Sequence, residues 1–292
     1  SINKRKILNY LKSGGIPIIA GFQGISLEGK ISSLGRGGSD TSAVALAAAL
    51  KAKRCDIYTD VDGVYTTDPN LEKKAKKINK ISYEEMLEMS SLGAKVLQTR
   101  SAELAMKKNI QLKVLSSITN SKGTLITNED QLIEKEMITG VSYSKNESKI
   151  TISGVPDKPG ISATIFGILA KNNINVDMIV QNISQDGVTA NLTFTIPTIE
   201  LEKANSILEK NRSKIYYNSI TSNSDVAKIS VIGVGMKSQS GVAEKMFKSL
   251  ANKQINILAI STSEIKISVL IDKKHTNKAI KSIHKAYKLG KK

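Results

Sequence analysis

A glycine-rich turn directly before an alanine-rich run constrains this chain more than any other feature of its sequence. The turn spans Leu34 to Ala43 and contains three glycines, one arginine, one aspartate and several hydroxyl side chains; Val44 to Leu50, which follows, is a strong helix former. Glycines can adopt positive φ and let a ligand approach the backbone. The first N–H groups of a helix can bind an anion, and Arg36 can grip a carboxylate with two hydrogen bonds. The pattern predicts a site for a small anionic substrate, unless it is only a turn.

The segments on either side of this turn indicate an α/β sheet. Ile16 to Gly24 has the composition of a buried strand that runs into a second glycine turn. Cys55 to Asn70 begins as a short strand and continues as a loop rich in carboxylates and hydroxyls. Ser82 and Glu85 predict a helix that starts with a capping box, and Gln111 to Leu115 predicts another strand. Alternating strands and helices of this kind, with ligands at the carboxyl ends of the strands, are typical of nucleotide-binding sheets.

The remainder of the chain contains a diverged internal repeat. Each copy has the order strand, helix, strand, strand, helix, which is ferredoxin-like. The first copy has these elements at residues 149–155, 162–171, 174–180, 189–196 and 199–210, and the second at 228–234, 242–253, 255–260, 264–271 and 276–286.

A fourth strand is needed to complete each copy. In the first copy, Ser213 to Ile220 is predicted to be this strand. In the second copy, the sequence ends before a fourth strand occurs. We therefore expect Met137 to Tyr143 to complete the second copy, which would make that domain discontinuous. The predicted domains are residues 1–130, a linker and strand at 131–148, a first module at 149–224 and a second at 225–292.

Short motifs in a fixed order closely resemble those of aspartate kinases in the amino-acid kinase family. They are GFQG at 21–24, LGRGGSD at 34–40, YTDVDGVYTTDP at 58–69 and GAKVL at 93–97. The resemblance continues through DKPG at 157–160, NVDMIVQN at 175–182 and ISTSEIKIS at 260–268, and in this region it is to paired ACT domains, which sense amino acids. It implies an α/β fold: the C-terminal part of an αβα sandwich followed by two βαββαβ modules.

One departure from the family concerns the start of the chain. Aspartate kinases open with a Lys-Phe-Gly-Gly-Thr-Ser type motif that contacts phosphates, and this sequence begins at Ser1 without it. We expect a fragment that lacks roughly the first hundred residues of the kinase domain, judged from the usual size of such domains. We also expect little or no activity from the fragment alone.

The resemblance implies transfer of the γ-phosphoryl group of ATP, with Mg²⁺, to the side-chain carboxylate of L-aspartate, giving 4-phospho-L-aspartate. This reaction is the entry step to lysine, threonine and methionine synthesis. A carboxylate is already nucleophilic at neutral pH, so the protein needs to hold two anions in line rather than supply a base. The absence of a catalytic triad or zinc-ligand pattern in the sequence is consistent with this chemistry.

The resemblance also assigns residues to the kinase site. The implied catalytic residues are Arg36, which clamps a carboxylate of aspartate, Ser39 and Asp40, although Asp40 could instead be a helix N-cap. The implied substrate-binding residues are Phe22, Arg36, Gly37, Gly38 and Ser39. The implied nucleotide-binding residues are Thr59, Asp60, Tyr65, Asp68 and Lys95. Asn70 stands where the family often has arginine, and asparagine cannot supply that charge.

In the repeat, the resemblance implies an effector site for lysine, threonine or both, and feedback inhibition through a homodimer or an α2β2 assembly. The implied effector residues are Asp157, Gly160, Ser162, Asp177, Gln181, Asn182, Asn256, Ile257, Ser261, Thr262, Ser263 and Glu264. Each of them could alternatively be a polar residue at a turn or strand end with no ligand.

Two other functions compete with this interpretation. A non-catalytic amino-acid-sensing regulatory subunit is one, and the retained GRGGSD sequence argues against it. A kinase of the same family that acts on glutamate or acetylglutamate is the other, and two ACT modules would not be expected there.

Composition bears on partners and location. The formal charge is +17, but the excess is mostly lysine, with 38 Lys and 5 Arg, and aromatic residues are only 4%. Scattered lysines with few stacking platforms argue against nucleic acid as a partner.

No apolar run is long enough to span a membrane, and the only cysteine, Cys55, favours a cytoplasmic protein without disulfides. We predict no protein-bound metal site, and we expect His275 and His284 to be exposed.

Overall fold

The structure, a computed structural model, describes Ile2 and residues 4–91, 96–131, 137–185 and 187–290. The chain divides into two compact units. The first contains residues 1–142, 232–240 and 287–292, and the second contains residues 143–231 and 241–286. Across the described residues, no helix has both the length and the apolar character required to cross a membrane.

The first unit contains a small hairpin and a mixed four-stranded sheet. Its elements are α1 (Lys4–Lys12), β1 (Gln23–Ile25), β2 (Ile31–Ser33), α2 (Gly38–Leu50), β3 (Arg54–Thr59), β4 (Lys80–Ser82), α3 (Tyr83–Ser91), α4 (Thr99–Lys108), β5 (Gln111–Ser116) and β6 (Thr124–Thr127). β1 and β2 form the antiparallel hairpin. The sheet has the order β3-β5-β6-β4, in which β3 is parallel to β5 and β4 to β6, while β5 and β6 are antiparallel.

The core of this unit explains why α2 and α4 lie together. Leu112 and Val114 alternate with more exposed residues along β5 and are fully buried, as a half-covered strand requires. Ala102 and Ala105 of α4 belong to the same hydrophobic core as Val44 of α2. Small alanine side chains let the two helices approach each other closely. The start of α4 consequently lies against the start of α2, where the substrate turn is predicted.

The expected buried strand from Ile16 to Gly24 is wrong. Only Gln23–Ile25 forms a strand, in the β1–β2 hairpin, and the residues before it are not paired in a sheet. Ile16 and Ile18 are 84% and 97% exposed. An apolar run is buried only where other residues cover it, and none of the described residues covers this one.

The predicted capping box at the start of α3 is confirmed. The backbone N–H of Glu85 donates to Ser82 Oγ at 3.1 Å, and the backbone N–H of Ser82 donates to Glu85 Oε2 at 3.1 Å. The two residues therefore satisfy two N–H groups that a helix start would otherwise leave unpaired. This local pattern depends on four consecutive residues, so it can be read from the sequence alone.

The second unit is built around a single six-stranded sheet. Its elements are β7 (Gly140–Pro156), α5 (Ile161–Lys171), β8 (Ile179–Ile183), β9 (Thr189–Pro197), α6 (Leu201–Lys210), α7 (Arg212–Ile215), β10 (Ser219–Ile232), α8 (Val242–Ala251), β11 (Ala259–Thr262), β12 (Lys266–Asp272) and α9 (Thr276–Ala286). The strand order is β11-β12-β10-β7-β9-β8. Two ferredoxin-like modules give this order when they share their two central strands, β7 and β10, and the predicted fold class is confirmed.

The sharing of β7 and β10 changes four expected strands into two. The strands expected at 137–143 and 149–155 are parts of one strand, Gly140–Pro156. The strands expected at 213–220 and 228–234 are replaced by the helix Arg212–Ile215 and the strand Ser219–Ile232. No glycine or proline interrupts either long strand between its halves, so nothing in the sequence forces a turn there. The domain boundaries proposed above remain predictions.

The second unit buries an apolar layer under the sheet. Ile150 and Ile152 of β7, Phe194 of β9 and Ile165 of α5 are completely buried in one cluster. The rings of Phe166 and Phe194 lie 5.5 Å apart at 74°, in an edge-to-face contact. His284 of α9 is 2% exposed, so the expectation that it is exposed is wrong.

Candidate functional site

The turn before α2 depends on its glycines. Gly35 and Gly37 have φ of 72° and 74°, a region that side chains with a Cβ rarely adopt. A Cβ on Gly37 would lie 2.0 Å from Cγ of Gln98, and a Cβ on Gly38 would lie 2.8 Å from Cβ of Leu34. The glycines therefore provide both the backbone conformation and the space that the turn needs.

The carbonyl groups of this turn all have donors. Gly35 O accepts the N–H of Gly38 at 2.9 Å, and Gly37 O accepts the N–H of Thr41 at 3.2 Å. Nη2 of Arg100 donates to the carbonyls of Leu34 and Arg36, at 3.0 and 2.8 Å. Among the described residues, no acceptor is found for the N–H groups of Ser39 and Asp40. The start of α2 consequently presents free donors, and the exposed side chains of Arg36 and Ser39 stand beside them.

Phe22 lies against this turn. Its carbonyl accepts the N–H of Leu34 at 2.9 Å, and its own φ is 65°, which is unusual for a residue with a Cβ. A Cβ on Gly38 would lie 3.1 Å from Cδ2 of Phe22, so the ring packs on the glycine backbone. The structure therefore brings together Phe22, Arg36, Gly37, Gly38 and Ser39, the whole predicted substrate set.

Asp40 joins α2 to α4. Burial raises the pKa of the Asp40 carboxyl, and a hydrogen bond from the backbone N–H of Gln98 opposes that rise. The N-cap of α2 is Gly37 and has no side-chain cap bond, so the alternative that Asp40 is the N-cap is wrong. The role of Asp40 in orienting groups around the substrate remains a prediction.

Sequence reasoning missed Gln98 and Arg100, the two residues of the α4 start that hold the turn. The available signal was composition, because Arg100 is one of only 5 arginines in a chain with 38 lysines. Arginine is favoured over lysine where a rigid, planar set of donors must meet fixed acceptors. Which acceptors it meets depends on the packing of α2 on α4, and the sequence does not reveal that packing.

The carboxyl end of β3 carries Thr59 and Asp60 of the predicted nucleotide set. The Thr59 hydroxyl donates to Asp60 Oδ1 at 3.0 Å. The backbone N–H and hydroxyl of Ser117, just beyond β5, donate to Thr59 O at 2.8 and 3.0 Å. These contacts fix the ends of two parallel strands relative to each other, and the Asp60 side chain is exposed there.

Tyr65 belongs to a hydrogen-bonded cluster that sequence reasoning did not identify. Its hydroxyl donates to Asp62 Oδ1 at 2.8 Å, and Lys77 Nζ donates to Asp62 Oδ2 at 3.0 Å and also to the Ser121 hydroxyl. Burial acts to raise the pKa of Asp62, but the bonds from Tyr65 and Lys77 outweigh it and lower that pKa. Burial and the bond to Asp62 both raise the pKa of Tyr65. The cluster holds the polar loop in one conformation.

Asp68 shapes the turn that follows. Its Oδ1 accepts the N–H of Asn70 at 2.9 Å, and its carbonyl accepts the N–H groups of Leu71 and Glu72 at 3.1 and 3.0 Å. Asn70 is exposed. Lys95, the last predicted nucleotide residue, lies outside the described residues.

The described residues of the first unit offer exposed carboxylates but no cage of protein ligands for a cation. The described part of the chain contains no group of three or more His, Cys, Asp or Glu side chains placed to hold a metal ion. Mg²⁺ commonly keeps several waters and binds through substrate phosphates with one or two carboxylates, so it needs no such cage. The exposed Asp60 carboxylate at the end of β3 is compatible with that mode of binding.

In the second unit, the first predicted effector residues gather around the start of α5. Gly160, the N-cap of α5, has φ of 93° and open space around its Cα. The hydroxyl of Ser162 donates to Oε1 of Gln181 at 3.0 Å, so the structure brings these two residues together. The backbone N–H of Asp157 donates to Val188 O at 2.9 Å, which closes the loop before α5.

Asp177 already has a cationic partner in the chain. Its Oδ2 accepts a hydrogen bond from Nζ of Lys228, which also lies 3.3 Å from Oε1 of Glu147. Lys228 is 4% exposed, whereas half of the Asp177 side chain is exposed. A ligand ammonium at Asp177 would therefore share that carboxylate with Lys228.

Predicted effector residues of the two repeat copies lie near each other. β8 and β11, the outermost strands in the sheet order, also contact each other. Met178, next to Asp177, packs with Leu258 and Ala259 in one hydrophobic cluster. The remaining effector residues follow along β8, before β11, on β11 and in the turn after it; they are Asn182, Asn256, Ile257, Ser261, Thr262, Ser263 and Glu264. The N–H of Ser263 donates to Lys266 O at 2.8 Å and closes that turn.

Family models match both units. The model of the Amino acid kinase family matches residues 1–116, and models of the ACT domain match residues 150–213 and 229–287. The chain is 50% identical to aspartate kinase of Pseudomonas putida over 289 residues, which is 99% of this chain and 70% of that protein. It is 51% identical to aspartokinase of Helicobacter pylori over 293 residues, with coverage of 99% and 72%.

Solved structures show the same similarity. Aspartokinase III of E. coli in complex with aspartate and ADP, in the R-state, superposes with a TM-score of 0.80 at 28% identity. The match covers 97% of this chain and 63% of that one, so the chain spans less than two thirds of the E. coli enzyme. The same enzyme in complex with lysine and aspartate, in the T-state, gives a TM-score of 0.76 at 29% identity, with coverage of 97% and 62%.

Proposed function

Because this chain belongs to the aspartate kinase family, we propose that it takes part in transfer of the ATP γ-phosphoryl group to the side-chain carboxylate of L-aspartate. The observation that supports this most directly is the start of α2. There, two N–H groups without an acceptor among the described residues, the exposed Arg36 and the Ser39 hydroxyl stand together beside a turn whose glycines have positive φ. A small dicarboxylate matches this set of donors in charge and size.

The proposed roles follow from these donors. Arg36 binds one carboxylate of aspartate bidentately, the N–H groups of Ser39 and Asp40 and the Ser39 hydroxyl hold the substrate in place, and Phe22 covers one side. Thr59, Asp60, Tyr65, Asp68 and Lys95 are proposed for the nucleotide. Mg²⁺ bound with ATP would screen the charge between the two anions. With a carboxylate as nucleophile, the task of these residues is to orient the reactants rather than to move a proton.

The second unit is proposed to bind lysine, threonine or both as feedback effectors. The E. coli relative crystallised with lysine supports an amino-acid effector, as does the cluster of exposed polar residues where β8 and β11 approach each other. An effector that binds an inactive arrangement more tightly would shift the population towards it. Assembly as a homodimer or an α2β2 complex through the ACT modules, and a cytoplasmic location, belong to the same proposal.

Calorimetric titration of the purified chain with L-aspartate, with and without MgATP, tests the substrate site. We expect saturable binding that Arg36→Gln weakens roughly 100-fold and that Arg54→Gln leaves unchanged, since Arg54 pairs locally with Asp56. Trapping of acyl phosphate with hydroxylamine then tests turnover. Aspartate binding of undiminished affinity in Arg36→Gln, or equal binding of L-glutamate, would contradict the proposed site.

Titration with threonine, with lysine, and with each in the presence of the other tests the regulatory part. Saturable binding of either amino acid supports it, and mutual enhancement would indicate concerted inhibition. Absence of binding to a chain shown to be folded by circular dichroism would remove the effector proposal while leaving the substrate site untouched.

A further inference from the structure

We propose that Arg100 is a positioning residue for substrate recognition: it holds the Leu34 and Arg36 carbonyls on the α4 side of the turn, so that the opposite side presents only donors to a carboxylate. The inference rests on the proposed function of the turn, and it adds a residue that neither the motif nor the family resemblance identified. The contact that carries it is made by one atom, Arg100 Nη2, which donates to both carbonyls at 3.0 and 2.8 Å.

The two carbonyls belong to the peptides that directly precede Gly35 and Gly37, both of which have positive φ. A glycine with positive φ has low barriers to rotation, so the peptides around it could readily turn a carbonyl towards the ligand. A carbonyl oxygen facing a bound carboxylate would repel it. By engaging both carbonyls at once, a single guanidinium nitrogen fixes the two peptides in the orientation that keeps the substrate side electropositive.

Other contacts from the same end of α4 reinforce this one. The N–H of Gln98 donates to the Asp40 carboxylate, and the Gln98 side chain packs on Gly37 so tightly that no Cβ fits there. The turn is therefore held along its length, at Leu34, Arg36, Gly37 and Asp40, by two residues of one helix start. Of these two residues, Arg100 supplies the positive charge. One of the carbonyls to which it donates is that of Arg36, the residue proposed to bind the substrate carboxylate.

A double-mutant cycle tests whether Arg100 acts through Arg36. L-Aspartate affinity is measured by calorimetry for the wild type, Arg100→Met, Arg36→Gln, and the double variant, with Arg54→Met as the matched control. We expect Arg100→Met to weaken binding roughly 10-fold, Arg100→Lys to recover part of the loss, and Arg54→Met to have no effect. In the Arg36→Gln background, titrated at millimolar aspartate to reach its weaker binding, Arg100→Met should change affinity less than about 2-fold. Equal losses in the two backgrounds would overturn the proposal, because a merely structural residue would act independently of Arg36.

Hydrogen exchange of the amides at 34–40 gives a second measurement that needs no aspartate. Arg100→Met should accelerate exchange in this segment, while Arg54→Met should not. Unchanged exchange in Arg100→Met would overturn the proposal whatever the affinities are. The wild type could also fail to bind aspartate while Arg100→Met still accelerates exchange at 34–40. That result would count against the proposed function, but it would establish that Arg100 holds the turn.

Discussion

The carboxylate of Glu85 accepts a 2.9 Å hydrogen bond from the backbone N–H of Val234, a residue 149 positions further along the chain. The same oxygen accepts the Thr139 hydroxyl at 2.6 Å, and the other oxygen accepts the N–H and hydroxyl of Ser82, both at 3.1 Å. Glu85 is 1% exposed. One buried carboxylate thus joins the start of its own helix to two distant segments of the first unit, and only an acceptor can satisfy all four donors.

Replacing this acceptor should destabilise the first unit strongly. In Glu85→Gln, the amide NH₂ would face donors, which leaves buried groups unpaired and should lower the free energy of unfolding by about 3 kcal/mol. Urea denaturation measures the loss, and faster hydrogen exchange at Thr139 and Val234 would locate it. Glu103→Gln is the control, because Glu103 is exposed on α4. A loss no larger than in this control would show that the Glu85 bonds are not needed.

Gly35 and Gly37 of the turn before α2 should respond differently to alanine. Both have positive φ, but a Cβ on Gly35 meets nothing within 4 Å, whereas one on Gly37 meets the Gln98 side chain at 2.0 Å. Gly35→Ala should cost only the backbone strain, about 1–2 kcal/mol. Gly37→Ala adds a steric overlap and should cost at least ~3 kcal/mol.

Comparing these two variants separates the cost of backbone strain from the cost of the steric overlap with Gln98. Urea denaturation gives both costs, and L-aspartate titration should show binding retained by Gly35→Ala and lost by Gly37→Ala. Equal costs at the two positions would mean that α4 moves aside freely, and that the close packing of Gln98 on Gly37 does not define the turn.

Local patterns in the sequence predicted local structure well, and distant contacts poorly. The Ser82–Glu85 capping box could be predicted because its partners are three residues apart. The isoleucines before Phe22 have the composition of a buried strand, yet whether anything covers them depends on residues elsewhere. Arg100 and Lys228 are single cations among 43, and their partners become visible only once helix or strand packing brings them together. The internal repeat predicted the paired modules. It did not predict that they share two long strands, because that depends on which strands pair in the sheet.

Cys55 should make stability depend on pH in the alkaline range. Burial raises the pKa of its thiol to about 11, and the neighbouring Asp56 and Asp40 carboxylates add to that rise. The unfolded chain releases this proton near pH 8.5. Because the folded chain holds the proton more tightly, the contribution is fully present below about pH 8.5 and is lost as the pH rises towards 11.

The measurement compares wild type with Cys55→Ala between pH 8 and 11. The wild type should lose about 2–3 kcal/mol more over this range than the variant, whose lower starting stability should depend less on pH. Tyr83, whose pKa burial raises to about 12, is present in both chains; the variant lacks only the smaller part of that rise, which comes from Cys55 itself. Parallel pH profiles would show that the thiol ionises freely in the folded chain; rapid alkylation by iodoacetamide at pH 8 would show the same.

Removing the buried ammonium of Lys228 should destabilise the second unit, because carboxylates would remain there without their cation. Lys228 lies within hydrogen-bonding or ion-pair distance of Asp177 and Glu147, and Glu147 is 9% exposed. In Lys228→Met the long apolar side chain is kept but the ammonium is removed, so the Glu147 carboxylate stays buried without its cation. We expect a loss of about 3 kcal/mol in the free energy of unfolding, measured by urea denaturation. Lys248→Met is the control, since its pairing with Glu244 is exposed at both ends and should contribute less than about 0.5 kcal/mol.

A second substitution distinguishes an uncompensated charge from simple loss of packing. If the cost of Lys228→Met comes from the carboxylate left in the interior, then adding Glu147→Gln should restore at least half of the lost stability, because a neutral amide is cheaper to bury than an unpaired carboxylate. If the cost comes from packing, the second change should add to the first rather than offset it. Additive losses in the double variant would therefore contradict the electrostatic explanation, and would assign to Lys228 only the role of filling space between β10 and its neighbours.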